Sequence, residues 1–390
     1  MVHPVYAQMP PTIFDEMSRL SRQHGAINLG QGFPDAVGPR PILDAAANAL
    51  LTGSNQYPPS RGLPPLRAAA AAHYNRTQGL TLDWQTQVIV TSGATEALAS
   101  TFLALLRPGD EVVLFQPLYD AYLPLIVRAG GVARLGRLEP PEWRIKPQAL
   151  DGLITRNTRL VVLNNPMNPC GRSFDDQELT LLARQCVAHD AIVVCDEVWE
   201  AVVPPPARFR PLMGLPGMAA RTVKIGSAGK MFGLTGWKIG LVMAAPDLIA
   251  GIAAAHQFLT FTTPPNLQTA VAYGLTEMPE WFATMPAEMG RSRNRLTAAL
   301  RAGGLTVLPS EGTYFLNVDL AASGIGMGDR QFCLRAVAEH GVAAIPLSAF
   351  YAENPPTNLI RLCFAKADDV LDEGARRLAT AREAFTSSKA

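Results

Sequence analysis

Residues 159–198, RLVVLNNPMNPCGRSFDDQELTLLARQCVAHDAIVVCDEV, contain two apolar runs separated by a segment with helical spacing. The runs RLVVL and AIVVC are continuous rather than alternating, which is typical of strands that are buried on both faces. The segment DQELTLLARQCVAH between them repeats its apolar residues at helical intervals. A strand, a helix and a second strand in this order predict a parallel pair of strands joined by a helical crossover.

Three more apolar runs extend this pattern along the chain. QVIVTS, DEVVLFQP and TVKIGS each predict a strand, and each ends in small or polar residues. The sequence therefore predicts an α/β protein whose main domain holds a mostly parallel sheet between helices. Sheets of this kind bind their ligands at the carboxyl ends of the strands.

The last third of the chain has a different character. Residues 291–320 resemble a helix, a turn and a strand, and further strands are expected in GVAAIPLSAF and NLIRLCFAK before a final helix near 367–385. We therefore expect a large domain over residues 45–290. A smaller α+β domain is expected to combine residues 1–44 with residues 291–390.

Composition excludes several classes of function. A net charge of +1 offers no bulk attraction to nucleic acid or to an anionic membrane. The five cysteines are scattered and never form a CxxC pair, which favours reduced thiols in a cytoplasmic protein over disulfides or a metal site. No signal segment and no apolar stretch of about 18 residues stands in the sequence. We expect a cytoplasmic protein with no metal, membrane or nucleic-acid partner.

Two ionisable residues stand where strands are predicted to end. Lys230 follows Ser-Ala-Gly, and burial would lower its pKa and let it form a Schiff base with an aldehyde. A solvated lysine in a loop is an equal alternative from position alone. Asp196 ends the run AIVVC, where it would need a cation such as a protonated pyridine nitrogen. The alternative for Asp196 is a helix N-cap.

Other short motifs suit anion and ligand binding. TSGATEALAS would present free N–H groups at the start of a helix, to which Ser227 and Lys238 would add a hydroxyl and a charge. Asn168 lies in the stiff loop NNPMNPCG and suits a hydrogen bond to a ligand oxygen, although a plain turn is the alternative. Arg361, within the apolar run LIRLCF, suits a carboxylate or a structural ion pair.

Together these features supply a phosphate cup, an aldehyde anchor, a carboxylate for a ring nitrogen and an arginine for a substrate carboxylate. This is the set of groups that pyridoxal phosphate requires. In the order of these motifs and in the residues that form them, the chain resembles the class I aminotransferases of fold type I over nearly its whole length. The stretches that carry the resemblance are INLGQGFPD, NQYPPSRGLPPLR, NNPMNPCG, CDEVWE, GSAGKMFGLTGWKIG, EGTYFL, GVAAIPLSAF and LIRLCFAK.

The resemblance implies fold type I, with a mostly parallel seven-stranded sheet between helices. It is closest to the methionine, glutamine (transaminase K) and kynurenine aminotransferases. It implies transamination between an L-amino acid and a 2-oxo acid by a ping-pong mechanism, with pyridoxal 5′-phosphate bound through a Schiff base to Lys230. It also implies a homodimer with shared active sites, in which Tyr57 reaches the cofactor phosphate of the partner.

The resemblance further assigns roles by position. Lys230 and Asp196 would be catalytic, and Arg361, Asn168 and the backbone of Gly32 would hold the substrate carboxylate. The residues that would contact the cofactor are Gly93, Ala94, Thr95, Tyr119, Asn168, Asp196, Trp199, Ser227, Lys230, Lys238 and Tyr57.

One position departs from the family. A tyrosine usually follows Asp-Glu-Val, where its phenol bonds the cofactor's ring oxygen, but here the residue is Trp199. An indole can only donate and cannot ionise. We predict that Trp199 still donates to the ring oxygen or that Asn168 does so alone, and that the bound cofactor consequently titrates at higher pH than with tyrosine.

The resemblance points to an apolar or aromatic pocket for the substrate side chain. Phe33, Phe261 and Tyr122 are candidates, although phenylalanine at such places is more often part of a core. No second arginine of the kind used by aspartate-specific enzymes was identified. We therefore expect methionine, glutamine, an aromatic amino acid or kynurenine as the donor.

Other functions are considered beside this one. A cysteine-S-conjugate β-lyase would use the same fold and cofactor. A non-catalytic sensor of pyridoxal phosphate would need a DNA-binding region, and no basic helix-turn-helix pattern occurs in the first 40 residues. A P-loop is excluded because Lys224 stands where its first glycine is required, and a serine hydrolase is disfavoured because no GxSxG occurs.

Overall fold

The computed structural model describes residues 2–7, 9 and 11–387, in which helices and strands alternate along most of the chain. The strands are β1 (Ile27–Asn28), β2 (Val88–Ser92), β3 (Glu111–Gln116), β4 (Val132–Arg137), β5 (Thr158–Asn164), β6 (Ile192–Asp196), β7 (Thr222–Ser227), β8 (Ile239–Met243), β9 (Thr306–Val307), β10 (Phe315–Asp319), β11 (Val342–Ala343), β12 (Ile345–Pro346) and β13 (Leu359–Cys363). The helices are α1 (Pro4–Ala7), α2 (Ile13–His24), α3 (Arg40–Thr52), α4 (Pro64–Gln78), α5 (Trp84–Gln87), α6 (Gly93–Leu105), α7 (Tyr122–Arg128), α8 (Pro147–Leu150), α9 (Asp176–Ala188), α10 (Ala228–Met231), α11 (Pro246–Leu259), α12 (Pro265–Glu277), α13 (Trp281–Ala302), α14 (Asp329–His340) and α15 (Asp368–Ser387). Single turns of 3₁₀ helix occur at Leu212–Gly214, Thr235–Trp237 and Leu347–Phe350. The strands expected from the apolar runs, and the crossover helix between the first two of them, are all present.

The main sheet has seven strands in the order β2-β8-β7-β6-β5-β3-β4. All neighbouring pairs are parallel except those of β8, which is antiparallel to both β2 and β7. This confirms the predicted seven-stranded and mostly parallel sheet. Among the described residues, no helix is both long and apolar enough to cross a membrane.

The central strands are buried on both faces, which explains their continuous apolar sequences. Val113, Val161 and Val193 are aligned across β3, β5 and β6 and pack into a core that includes α9. Their neighbours Val112 and Leu160 point to the other face, where they share a core with α6 and α11. Successive residues of each strand therefore contribute to two different hydrophobic cores.

The crossover helix α9 begins where its sequence predicts a start. The side chain of Asp175 accepts hydrogen bonds from the backbone N–H groups of Gln177 and Glu178, and Glu178 bonds back to the N–H of Asp175. This capping box satisfies N–H groups that a helix leaves free at its first turn. The helix then returns the chain to the start of β6, parallel to β5.

The smaller α+β region contains a four-stranded sheet in the order β12-β13-β10-β9, and its strand pairs are antiparallel. The N-terminal strand β1 pairs with β11 in parallel, through Ile27 opposite Val342. This pairing brings the segment that follows β1 against the C-terminal part of the chain. The limits of the two domains stay a prediction, and α13 runs unbroken through the expected boundary after residue 290.

The topology places several chain segments at one edge of the main sheet. The parallel strands β5, β6 and β7 all end at this edge. Because β8 is antiparallel to β7, its beginning lies at the same edge as the end of β7. Residues just before β8 therefore join residues just after the parallel strands.

Candidate active site

The residues predicted at strand ends meet in one cavity at this edge of the main sheet. Together with the solvent space at its opening, the cavity holds about 730 Å³ of empty space. It is lined by Gly93, Ala94, Thr95, Leu98, Tyr119, Asn164, Asn168, Asp196, Val198, Trp199, Ser227, Lys230, Thr235 and Lys238. Residues from five separate segments, expected to act together, therefore lie around a single space.

One wall of the cavity joins the start of α6 to the side chain of Lys238. Gly93 has a φ of +75°, and a β-carbon at this position would lie 3.0 Å from Cε and 3.2 Å from Nζ of Lys238. The first N–H groups of a helix lack partners within the helix and attract anions. Lys238 itself has left-handed backbone angles, with φ 55° and ψ 43°. This wall suits a phosphate or another compact anion.

The sheet explains why two lysines eight residues apart serve the same cavity. β7 ends at Ser227, and the short helix α10 that follows carries Lys230. The Ser227 hydroxyl caps this helix by accepting from the Lys230 backbone N–H at 3.4 Å. The chain then turns back into the antiparallel strand β8, with Lys238 directly before it.

The amine of Lys230 lies in the interior of the cavity. Its Nζ donates to the carbonyl oxygen of Gly32 at 3.4 Å and lies 4.5 Å from the centre of the Trp199 ring. Burial lowers the pKa of Lys230 to about 8. The Tyr314 hydroxyl donates to the Lys230 backbone carbonyl at 2.9 Å and fixes the main chain at this residue. Lys230 thus combines a fixed backbone with an amine whose lone pair is readily available near neutral pH.

Trp199 lies between Lys230 and the core of the protein. Its ring makes edge-to-face contacts with Tyr314 at 4.7 Å and with Phe315 at 5.3 Å between ring centres. The indole therefore presents its face to the Lys230 amine, an arrangement that favours a positive charge there. The predicted hydrogen bond from Trp199 to a ligand oxygen stays a prediction.

Asp196 is buried at the end of β6. Its Oδ2 accepts a hydrogen bond of 2.5 Å from the Tyr122 hydroxyl, while Oδ1 is buried and has no partner among the described residues. Burial raises the pKa of Asp196 to about 6, although the Tyr122 hydrogen bond opposes this rise. An oxygen left unpaired in the interior is costly. A positively charged N–H group in the cavity would satisfy it.

Arg361 is fully buried on β13 beside the cavity. Its Nη1 donates to Oδ1 of Asn168 at 2.9 Å and its Nη2 to the carbonyl of Gly30 at 2.8 Å, while Nε has no partner among the described residues. The guanidinium lies 3.9 Å from the ring centre of Phe315 and 5.0 Å from that of Phe350. Burial lowers the pKa of Arg361 to about 9. A carboxylate is the ligand that this apolar setting and planar fork favour.

The remaining predicted residues lie around the cavity in different ways. Tyr119 lines it and meets the Tyr122 ring edge-to-face at 5.6 Å. Phe33 is not part of the lining, and it follows the Gly32 carbonyl that Lys230 contacts. Tyr57 and Phe261 are also outside the lining, and their rings pack edge-to-face at 5.4 Å on the surface.

Two residues have roles that the sequence did not reveal. Tyr122, expected near the substrate side chain, is instead buried and holds Asp196. Asn164 lines the cavity opposite Asp196 in the β5–β6 register, and its side-chain amide donates to the Asp196 carbonyl at 2.9 Å. The rule that polar residues at strand ends form the site would have found Asn164, since it ends β5.

The chain is similar to a known protein family and to named relatives over most of its length. The family model for aminotransferase class I and II matches residues 25–378. A methionine aminotransferase of Escherichia coli K12 is 41% identical over 371 residues, which cover 95% of this chain and 96% of the relative. A kynurenine–oxoglutarate transaminase 1 of mouse is 34% identical and covers 93% of both chains.

Solved structures agree with these matches. The crystal structure of an Escherichia coli protein with a methionine aminotransferase function superposes with a TM-score of 0.94 at 40% identity, over 97% of this chain and 99% of that chain. The structure of N-succinyldiaminopimelate aminotransferase from Mycobacterium tuberculosis also gives a TM-score of 0.94, at 42% identity over 98% of this chain and 100% of that one. The likeness therefore extends over both domains of the expected fold.

Proposed function

This chain belongs to the class I and II aminotransferases, and we propose that it uses pyridoxal 5′-phosphate held at Lys230. The proposed donor is an L-amino acid of the methionine, glutamine, aromatic or kynurenine type, and the acceptor is a 2-oxo acid. The observation that carries this proposal is the convergence of Lys230, Asp196 and the start of α6 on one cavity.

The residues of the cavity fit this cofactor. The unpaired Oδ1 of Asp196 would accept from the protonated ring nitrogen. The start of α6, Ser227 and Lys238 would hold the phosphate, since Gly93 leaves room for the lysine side chain against its backbone. Lys230 would hold the aldehyde.

Three further residues of the cavity lining would contact the ring. Tyr119 would stack on it, and Asn168, Trp199 or both would donate to the ring oxygen. The role of each of these side chains rests on the family resemblance together with its place in the cavity lining.

The chemistry divides between the cofactor and the chain. When bound, pyridoxal phosphate supplies an electron-poor ring that draws electrons from the substrate Cα–H bond. The Lys230 amine takes the Cα proton and later returns it, and a pKa of about 8 suits both tasks near neutral pH. Asp196 supplies a fixed negative charge, and the Tyr122 hydroxyl keeps that carboxylate in place.

The substrate carboxylate would bind Arg361 and Asn168. The surroundings of Arg361 are aromatic, and the nearby carboxylate of Asp120 opposes the lowering of its pKa. The rings of Phe315 and Phe350 offer apolar surface beside the position proposed for the substrate carboxylate. This arrangement supports neutral apolar or aromatic donors, the class that the names of the methionine and kynurenine relatives also indicate.

We further propose a homodimer. The side chains of Leu51, Tyr57 and Phe258 are 83%, 84% and 87% exposed, which is unusual for large apolar residues of one chain. Tyr57 and Phe261 pack together on the surface, where a second subunit would cover them. We also propose a cytoplasmic location, supported by five cysteines that are all buried and unpaired.

The decisive experiment follows the visible absorbance of the cofactor-loaded protein. Single amino acids are added one at a time, and the donor should bleach the band, which a suitable 2-oxo acid should restore. Lys230→Ala should abolish the band and reduce turnover by at least about 10³-fold. The exposed lysine variant Lys146→Ala serves as the control and should behave as wild type.

Two outcomes would contradict the proposal. A Lys230→Ala protein with undiminished turnover would exclude the assigned role of this amine. Release of pyruvate and a thiol from cysteine conjugates, without any need for a 2-oxo acid, would instead establish the β-lyase alternative.

A further inference from the structure

Three cationic side chains donate to backbone carbonyl groups within residues 30–33, the segment that follows β1. Arg361 donates to the carbonyl of Gly30 at 2.8 Å, Lys230 to that of Gly32 at 3.4 Å and Lys366 to that of Phe33 at 3.1 Å. The segment therefore lies beside the Lys230 amine of the cavity, with three of its backbone oxygens facing positive charges.

The backbone of residues 30–33 is packed closely against neighbouring side chains. A β-carbon at Gly32 would lie 2.6 Å from Cζ of Phe315, and one at Gly30 would lie 3.0 Å from Cδ1 of Ile345. The backbone thus runs directly against the ring that stacks on Arg361. A shift of the segment away from Phe315 would widen the space beside Arg361.

Two of the three cations have other tasks in the proposed reaction. Lys230 would engage the cofactor aldehyde and then the substrate proton, and Arg361 would engage the substrate carboxylate. Each would then contact the segment less strongly, because its N–H groups are shared with a ligand. Lys366 lies outside the cavity lining and keeps its contacts throughout.

The contacts of Lys366 suit a permanent anchor. Its side chain is only 4% exposed, and its amine also donates to Oδ1 of Asp35 at 2.7 Å and lies 4.7 Å from the ring centre of Phe33. The N–H of Asp35 in turn donates to the carbonyl of Ala365, next to the lysine, at 3.2 Å. Lys366 is therefore buried, whereas its partner Asp35 is 38% exposed, and the ion pair acts together with the two backbone hydrogen bonds to hold the lysine in place.

We propose that Lys366 is a positioning residue that keeps Gly32 and Phe33 at the substrate pocket while Lys230 and Arg361 are engaged with ligands. This inference rests on the proposed function for the identity of those ligands. Lys366 does not itself touch the substrate in this account. Its effect is to keep the pocket formed before the substrate arrives, which lowers the cost of binding.

The test compares Lys366→Met, Lys366→Arg and Asp35→Asn in the cofactor-loaded protein, with the amino acid that bleaches the wild-type band. Lys366→Met should raise KM about 10-fold and change kcat less than about 3-fold, since uniform binding is lost rather than transition-state stabilisation. Asp35→Asn should raise KM by a smaller factor, and Lys366→Arg should restore most of the loss. The cofactor dissociation constant should stay unchanged in all three.

Arg67→Met provides a matched control. Arg67 is also a buried cation that binds backbone carbonyls, those of Trp84, Gln85 and Val88, but none of these belongs to the segment near the cavity. This variant should lose thermal stability without a change in KM. If it raises KM as much as Lys366→Met does, the effect is a general loss of stability and the inference is overturned.

Hydrogen exchange provides a measurement that needs no substrate. Backbone amides of residues 31–33 and 35 should exchange about 10-fold faster in Lys366→Met and in Asp35→Asn than in the wild type, because their local opening becomes easier. Should Lys366→Met not fold, Asp35→Asn alone decides the result. Unchanged exchange and unchanged KM in a folded variant would overturn the inference, whereas a wild type that transaminates no amino acid would overturn the proposed function.

Discussion

The hydroxyl of Tyr122 donates a 2.5 Å hydrogen bond to one oxygen of Asp196, and the other oxygen of that carboxylate is buried without a partner among the described residues. The two oxygens therefore have different tasks. One fixes the side chain against α7, and the other remains available for a cation in the cavity. Tyr122 itself is buried, so this hydrogen bond lies in the interior of the protein.

Tyr122→Phe should weaken cofactor binding in a pH-dependent way. The hydrogen bond opposes the rise in the pKa of Asp196, so its loss should raise that pKa above about 6. The pH below which pyridoxal phosphate binds poorly should then move up by about 1 unit, as expected for a hydrogen bond to a charged group. Dissociation constants measured between pH 5 and pH 8 test this. Tyr119→Phe is the control. Because the hydrogen bond to Asp196 comes from Tyr122 and not from Tyr119, this variant should leave the pH midpoint of cofactor binding unchanged.

Asp196→Asn should stabilise the cofactor-free protein at neutral pH. Burial raises the pKa of Asp196 from 3.8 to about 6, so the folded state binds more protons than the unfolded state between these values. The stabilising contribution of this group is therefore present at low pH and is lost as pH rises through about 6. The free energy of unfolding of the variant should exceed that of wild type by about 3 kcal/mol at pH 7.5, and the two values should converge near pH 4.

Urea unfolding at both pH values measures this difference, and addition of pyridoxal phosphate should reverse it by stabilising the wild type more. A difference that is the same at pH 4 and pH 7.5 would contradict the assigned pKa of Asp196.

Trp199→Tyr should shift the titration of the bound cofactor to lower pH. A phenol donates to the ring oxygen and stabilises its negative form, whereas the indole presents its ring face to Lys230. The midpoint of the visible band should fall by about 1 unit, and Trp199→Phe should not lower it. Equal midpoints in wild type and Trp199→Tyr would refute the prediction that tryptophan at this position raises the titration midpoint.

Phe258→Asp should separate the proposed homodimer. Phe258 is 87% exposed at the end of α11, and a carboxylate there would be costly to bury under a second subunit. Sedimentation should detect a dimer for wild type and a monomer for the variant. Val187→Asp, an exposed apolar position on α9, should remain dimeric. A monomeric wild type would remove the role proposed for Tyr57 in a shared site.

The sequence predicted β2, β3, β5, β6 and β7 of the main sheet but neither β4 nor β8. β3, β5 and β6 are continuous apolar runs because both of their faces are covered. β4 was not identified, since this edge strand carries Arg134 and Arg137 and remains half exposed. The apolar run of β8 indicates burial but not strand direction. A buried strand has the same composition whether it runs parallel or antiparallel to its neighbours.

The candidate site likewise contains residues that the sequence could predict and residues that it could not. Residues such as Asp196 and Lys230 were predictable because they stand directly after strands, and parallel strands end at one edge. The role of Tyr122 depends on where α7 packs, and that of Lys366 on the approach of the N-terminal segment to the end of β13. These contacts join distant parts of the chain, and no local pattern in the sequence indicates them.

The left-handed backbone at Lys238 has a consequence for engineering. A side chain in this conformation costs about 1–2 kcal/mol relative to glycine, which adopts it freely. Glycine at this position would therefore make the protein more resistant to heat while removing the cation beside Gly93. A search for thermostable variants that ignores catalysis would therefore select Lys238→Gly. Lysine at this position lowers the stability of the fold but supplies the cation that the proposed activity needs.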